Sequence, residues 1–429
     1  MQTESNPLLQ RLRPLDYHAA MVAYLKSHES KLWDFHANLR HKQEQLDAIR
    51  LDLLKSTVRL SREAQPQLHA AFDDAARALD LNVPVSFYQS QSGNAAHINA
   101  SVCCLPGECH VILSGPVLTM LDELELRALA GHELSHYRFL ESNDGEMGIA
   151  DRVLGAIVSD PRHEPSHIIS AQRFRQYTEI YADRGSFLAT RDLHAVIRCL
   201  VKVETALETV DAAAYLQQAD EIFAKSDATT QGITHPESFI RARALAQWTA
   251  ASAEDGDSDV RRMIEGPLQL DRLDLLSQTQ LTEITRRFIA RLLEPNWFRG
   301  ATVMAQARLC FSDFVMPSGP QSAAVDVLVE LQPLHPSLRD YFCYLMLDFA
   351  AVDPMLDDLP LLRGFEVAES LHCRERLEEI AAKELKLTKK ALAKLRADGP
   401  DLLERARHAN AEGVAPQPGA SGAEKGGAG

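Results

Sequence analysis

Only one block of this chain trades the helical hydrophobic pattern for a strand-like one. In "LDYHAAMVAYLKSHESKLWDFHANLRHKQEQLDAIRLDLLKSTVRL" apolar residues recur three and four apart, without glycine or interior proline. That spacing predicts helix, and residues 14 to 80 read as helical throughout, with "QPQLHAAFDDAARALDL" as a further helical stretch. The segments "VPVSFYQS" and "AAHINASVCCLPGECHVILSG" are different: β-branched, turn-rich and almost free of charge. They predict short strands, with Pro106-Gly107 as the turn between two of them. Helical spacing returns at about Pro116 and runs to residue 250. The fold class expected is therefore mainly α with a small antiparallel β-sheet, an α+β chain.

At 429 residues the chain exceeds the ~100–200 residues of one domain. An N-terminal helical region is expected over 1–65 and a central domain over 66–250. The polar, acidic "SAEDGDSD" marks a linker, 251–259. A C-terminal helical domain follows over 260–407. The small-residue end of the chain, 408–429, is expected to be a disordered tail.

The net charge of −15 argues against a nucleic-acid partner, which needs clustered Lys and Arg. No run of about 18 apolar residues predicts a membrane span, and the first residues lack the apolar centre of a signal peptide. The expectation is a soluble, cytoplasmic protein. Its seven cysteines are then expected as reduced thiols. Cys103, Cys104 and Cys109 cluster without the spacing of a zinc ribbon or finger, and read as structural.

The pattern His-Glu-x-x-His occurs twice. Two histidines four apart on a helix project from one face and reach a single ion, and the glutamate between them lies beside a metal-bound water. This requires helix through all five residues. The first match, His132, Glu133 and His136 in "LRALAGHELSHYRFL", lies in a proline-free helical pattern. Gly131 costs about 1 kcal/mol of helix propensity there, so another constraint must favour it. The second match, His163, Glu164 and His167, contains Pro165, which is tolerated only in a first helical turn. It reads as a helix start or surface loop. Taken alone, the first match remains open between a zinc site and two helix histidines.

Two downstream segments bear on that choice. "RQYTEIYADRGSFLA" places Glu179 and Asp183 one turn apart on a helix. A carboxylate there can be a third zinc ligand, and the aspartate can accept the free N–H of a ligand histidine. The same pair can equally be an exposed acidic face. "THPESFIR" holds His235 and Arg241; it is a helix start, or a source of a hydrogen bond to an oxyanion.

Together these pieces resemble the HtpX-like and CAAX-prenyl-protease-like zinc metallopeptidases, gluzincins of peptidase family M48. The likeness rests on His-Glu-x-x-His, then Glu-x-x-Ala-Asp, then Thr-His-Pro with an arginine six residues past its histidine. An Asn-Ala strand, a Pro-Gly turn and a following strand precede the motif helix, and the resemblance spans roughly residues 66 to 250. It implies a zincin-type metalloprotease domain followed by an all-helical C-terminal domain, with one zinc ion per chain. It implies His132, His136 and Glu179 as metal ligands and Glu133 as general base. Asp183 would support a ligand histidine, His235 would donate to the transition state, and Arg241 would hold the geometry. Asn99 and Ala100 match the substrate-side strand, where an extended protein or peptide substrate adds as a further strand.

The chain departs from the family in lacking long apolar helices, and in a short interval between His136 and Glu179. Residues 137–178 can form a lid or loop over the cleft, from which His163, Glu164 and His167 could approach the metal or gate it. The C-terminal region resembles TerB-type helical domains joined by an acidic turn, "AVDPMLDDLP"; a protein partner is expected to dock there. Asp353, Asp357 and Asp358 read as a helix-start cluster, since the spacing lacks the glycine and terminal glutamate of an EF-hand. The reading is a zinc endopeptidase. The alternative is a non-catalytic or latent peptidase-like protein that binds peptides or acts as a scaffold through its helices.

Overall fold

A computed structural model of the chain describes residues 7–38, 43–91, 98–250, 256–317, 327–331 and 333–411. The residues group into two compact units, Met1–Pro267 and Leu268–Gly429. Among the described residues no helix is long and apolar enough to cross a membrane.

The first unit opens with helices α1 (Asp16–His28), α2 (Ser30–Ala37) and α3 (Gln43–Ser56). Strand β1 (Thr57–Arg59) follows directly, inside the stretch whose periodicity predicts helix. Next come α4 (Pro66–Ala78), β2 (Val85–Ser90), β3 (Asn99–Leu105) and β4 (Glu108–Ser114). The sheet has the order β1-β2-β4-β3. β1–β2 and β3–β4 are antiparallel, but β2 and β4 run parallel, Val85 opposite Cys109 and Gln89 opposite Leu113. The sheet is mixed, not antiparallel throughout. Hydrophobic alternation predicts that a strand forms; it does not choose the neighbour, and here the β3–β4 hairpin folds so that β4 sits inside. Gly107 takes φ 74° at the hairpin turn, a conformation that favours glycine. β3 is one edge strand of the sheet among the described residues, and β1 is the other.

Helices α5 (Glu123–Leu140), α6 (Ser142–Ser159) and α7 (Pro165–Thr190) form the centre of the unit. α5 starts at a capping box. Asp122 accepts from the Glu125 N–H at 2.8 Å, and Glu125 accepts from the Asp122 N–H at 3.0 Å. Arg198 and Lys202 then donate to the same buried Glu125 at 2.9 and 2.8 Å, pinning the next helix, α8 (Leu193–Thr205), to the start of α5. The interval expected as a lid or loop is helical. Left-handed backbone at Asn143, Asp144 and Gly145 breaks α5 from α6, and α6 packs against α1, α2 and α7.

The second His-Glu-x-x-His caps α7. Pro165 occupies the first turn, the Glu164 N–H donates to His167 Nδ1 at 2.9 Å, and His163 Nδ1 lies 2.7 Å from the Asp160 carbonyl. From His167 to Glu179 the helix rises about 18 Å, so this match does not approach the first. α1 lies on α7 through buried His18, which accepts from the Leu15 N–H at 3.1 Å and donates to the Phe174 carbonyl at 3.2 Å.

The unit closes with α9 (Ala212–Lys225), α10 (Ser238–Ala250) and α11 (Gly256–Glu265). The acidic stretch expected as a linker is partly this last helix, which packs on α7 and α10. Asp257 and Asp259 stand in its first turn, where acidic side chains favour a helix rather than break one. Residues 251–255 of that expectation lie outside the described residues.

The second unit is helical, with α12 (Leu275–Leu292), α13 (Pro336–Ala350), α14 (Leu359–Ser370), α15 (Arg374–Glu384) and α16 (Lys389–Ala411) around a core that includes Phe288, Phe298, Phe342, Phe349 and Phe365. Asp353 caps a short 3-10 turn by accepting from the Met355 N–H, and Asp358 precedes α14, so the acidic cluster marks helix starts. The tail expected from 408 begins inside α16, and residues 412–429 lie outside the described residues.

Candidate metal centre

The centre forms where α5 crosses α7, and two glycines set the crossing. A Cβ on Gly131 would stand 2.6 Å from the Ala189 Cβ and 2.9 Å from the Ser186 Cα; one on Gly185 would stand 1.7 Å from Ser135 Oγ. These are closer than real Cβ contacts, so only glycine admits this approach of the two backbones. That is the constraint that favours Gly131 inside the motif. Ser186 then donates to the Ala128 carbonyl at 2.7 Å and ties the helices together.

The crossing faces His132 and His136 of α5 towards Glu179 and Asp183 of α7. The Nε2 atoms of His132 and His136 lie 3.2 Å apart. Glu179 Oε2 is 3.4 Å from His132 Nε2, and Glu179 Oε1 is 3.5 Å from His136 Nε2. A tetrahedral ion bound at about 2.1 Å has donor-to-donor edges of about 3.4 Å. The three residues thus stand at ligand spacing, and among the described residues they are the group of metal-binding side chains close enough to share one ion. Glu179 Oε2 is buried and makes no hydrogen bond, with cations only at ion-pair range. An acceptor left so in the interior is costly unless something else satisfies it. The donor set fits a metal ion.

Two further groups hold this set. Asp183 Oδ1 lies 3.1 Å from His132 Nδ1, which leaves Nε2 free to face the centre. Arg241 of α10 donates to both Asp183 oxygens, at 2.6 and 2.8 Å. His235 lies beside Glu179, its Nε2 3.5 Å from Oε1, with a side chain 62% exposed.

The electrostatics follow from burial and these contacts. Burial alone would lower His132, but the hydrogen-bonded Asp183 carboxylate and the Glu179 carboxylate beside it outweigh burial and raise it to about 10. His136, buried without a hydrogen-bonded carboxylate, falls to about 4 although Glu179 lies near it. Burial would raise Glu179, yet His132 and Arg241 hold it below the usual carboxylate range. Glu133, also buried, is pushed up to about 7 by desolvation, against the pull of His132. A carboxylate poised there can take and return a proton near neutral pH.

All these groups open onto one cavity of about 370 Å³. Asn99 and Ala100 of β3 line it, as do Glu133, His235 and Arg241. Sequence reasoning missed the opposite wall, Val196, Leu200 and Val203 of α8. Their spacing of four and three residues was the available signal, an apolar stripe on one helix face.

Residues 62–157 match the model for peptidase family M48. The matched segment contains the sheet strands β2 to β4 and the first His-Glu-x-x-His, and it ends before Glu179. No curated protein and no solved structure gives a significant match.

Proposed function

We propose that this chain is a zinc-dependent endopeptidase acting on protein or peptide substrates. The observation that carries the reading is the convergence, in one cavity, of three donors at ligand spacing with a buried carboxylate held at about 7. His132, His136 and Glu179 would hold the ion, matching the nitrogen and carboxylate donors that zinc takes in catalytic sites. Zinc, when bound, supplies a lowered water pKa and a polarised scissile carbonyl.

The protein's own groups supply the rest. β3 pairs through its free edge with the extended substrate backbone and sets its register in the cleft. Glu133 removes the proton of the attacking water and passes it to the leaving amine. His235 donates a hydrogen bond to the oxyanion as the carbonyl becomes tetrahedral. Asp183 fixes the His132 tautomer, and Arg241 holds Asp183 in place.

The test is cleavage of an unfolded protein by zinc-loaded wild type and Glu133→Gln, with zinc measured in both. The expected result is equal zinc and a turnover lower by about 10²–10⁴ in the variant. Equal cleavage would remove Glu133 as the base. No cleavage by zinc-loaded wild type, with the substrate still bound, would favour a peptide-binding protein over an enzyme.

A further inference from the structure

The β3–β4 hairpin carries a thiol pair. Cys104 of β3 stands opposite Cys109 of β4 in the register. The hairpin turns through two residues, so Leu105 and Glu108 form the hydrogen-bonded pair beside the turn, and Cys104 and Cys109 the non-hydrogen-bonded pair beyond it. The backbone agrees: the Cys109 N–H donates to the Pro84 carbonyl, away from β3, at 3.1 Å. Opposite residues at such a position have Cα atoms about 4.5 Å apart and side chains on one face, within the range that a disulfide spans. The two side chains are near enough for Cys104 to push the buried Cys109 thiol up. Cys109 is fully buried, while Cys104 is partly exposed.

We propose that Cys104 and Cys109 are an oxidative modification site, closing to a cross-strand disulfide when the protein meets a small-molecule disulfide. The Cys104 thiolate attacks the small disulfide, forming a mixed disulfide and releasing one thiolate. The Cys109 thiol gives up its proton and attacks the Cys104 sulfur, releasing the second. Two protein thiols lose two protons and two electrons, and one small disulfide becomes two thiols. The division of labour follows exposure: Cys104 can be reached from outside, and Cys109 resolves from within. The bridge would staple this edge strand of the sheet, whose Asn99 and Ala100 line the cavity, to its neighbour.

The test incubates the reduced full chain with oxidised glutathione, alkylates the remaining thiols, and cleaves after Glu108. That cut falls between the two cysteines, so only a disulfide keeps the two pieces together. The expected result is loss of two of the seven thiols and a linked pair of fragments. Cys103→Ser and Cys343→Ser should leave both unchanged. In Cys109→Ser, Cys104 should stop as the glutathione adduct. The proposal is overturned if wild type keeps Cys109 alkylatable, or if Cys104→Ser still yields the linked fragments through Cys103. It is equally overturned if the only bridge joins Cys343 and Cys373.

Discussion

His132 and His136 place their Nε2 atoms 3.2 Å apart, and each also faces one oxygen of Glu179. Two nitrogens at that distance define an edge, and the carboxylate completes a face. Removing the carboxylate leaves a two-donor site. Glu179→Ala is expected to lose its metal during dialysis against a weak chelator that leaves one zinc per chain in wild type. Zinc retained equally by both proteins would mean that another residue closes the site.

In the proposed site a metal would compete with a proton. His132 is raised to about 10 by Asp183 and Glu179, so at neutral pH the metal-free centre holds a proton that an ion must displace. Zinc affinity is expected to climb with pH, by up to about tenfold per unit between pH 6 and 8. The same proton stabilises the metal-free fold. That contribution is full below the unfolded value near 6.5 and is lost as pH rises through about 10. Competition against a chromophoric chelator at several pH values measures the first effect, and a flat profile would contradict the protonated centre.

In the proposed site Asp183 would serve the ion through His132, which it contacts at Nδ1. Asp183→Asn keeps the shape but removes the charge that pairs with buried Arg241. The expected loss of zinc affinity is about 10–100-fold, with the fold retained by circular dichroism. An unchanged affinity would reduce the Asp183–Arg241 pair to a structural brace.

Along β3 the hydrogen-bonded pairs fall at Asn99, Ser101, Cys103 and Leu105, which leaves the N–H and C=O of Ala100 and Val102 aimed at the free edge. Ala100→Pro deletes one outward donor and leaves the ladder to β4 intact. The expected result is a raised KM with zinc content unchanged. Ser101→Pro, which breaks the ladder itself, should instead lower stability. If Ala100→Pro leaves KM where it was, the substrate does not pair with this edge.

The motif helix was legible because a spacing of four needs only one unbroken helix, and α5 runs from Glu123 to Leu140. The α7 carboxylates were legible for the same reason. The strand neighbours were not, since hydrophobic alternation is blind to which strand lies alongside. β1 was missed because three residues at the end of a helical run carry no turn signal. Asp257 and Asp259 misled because an acidic cluster serves a helix start as well as a linker. Residues 137–178 were misread because the left-handed turn at Asn143–Gly145 interrupts the periodicity without ending the helical region.

The crossing at Gly131 and Gly185 also acts as a gauge. His132 and His136 sit on one side of it and Glu179 on the other, so the spacing of the helices is the spacing of the donors. Bond lengths that separate zinc from a larger cation such as calcium differ by about 0.3–0.5 Å, less than the displacement one methyl group would force at either glycine. In the proposed site the choice of ion would thus be set in part at two positions, Gly131 and Gly185, that contribute no ligand atom.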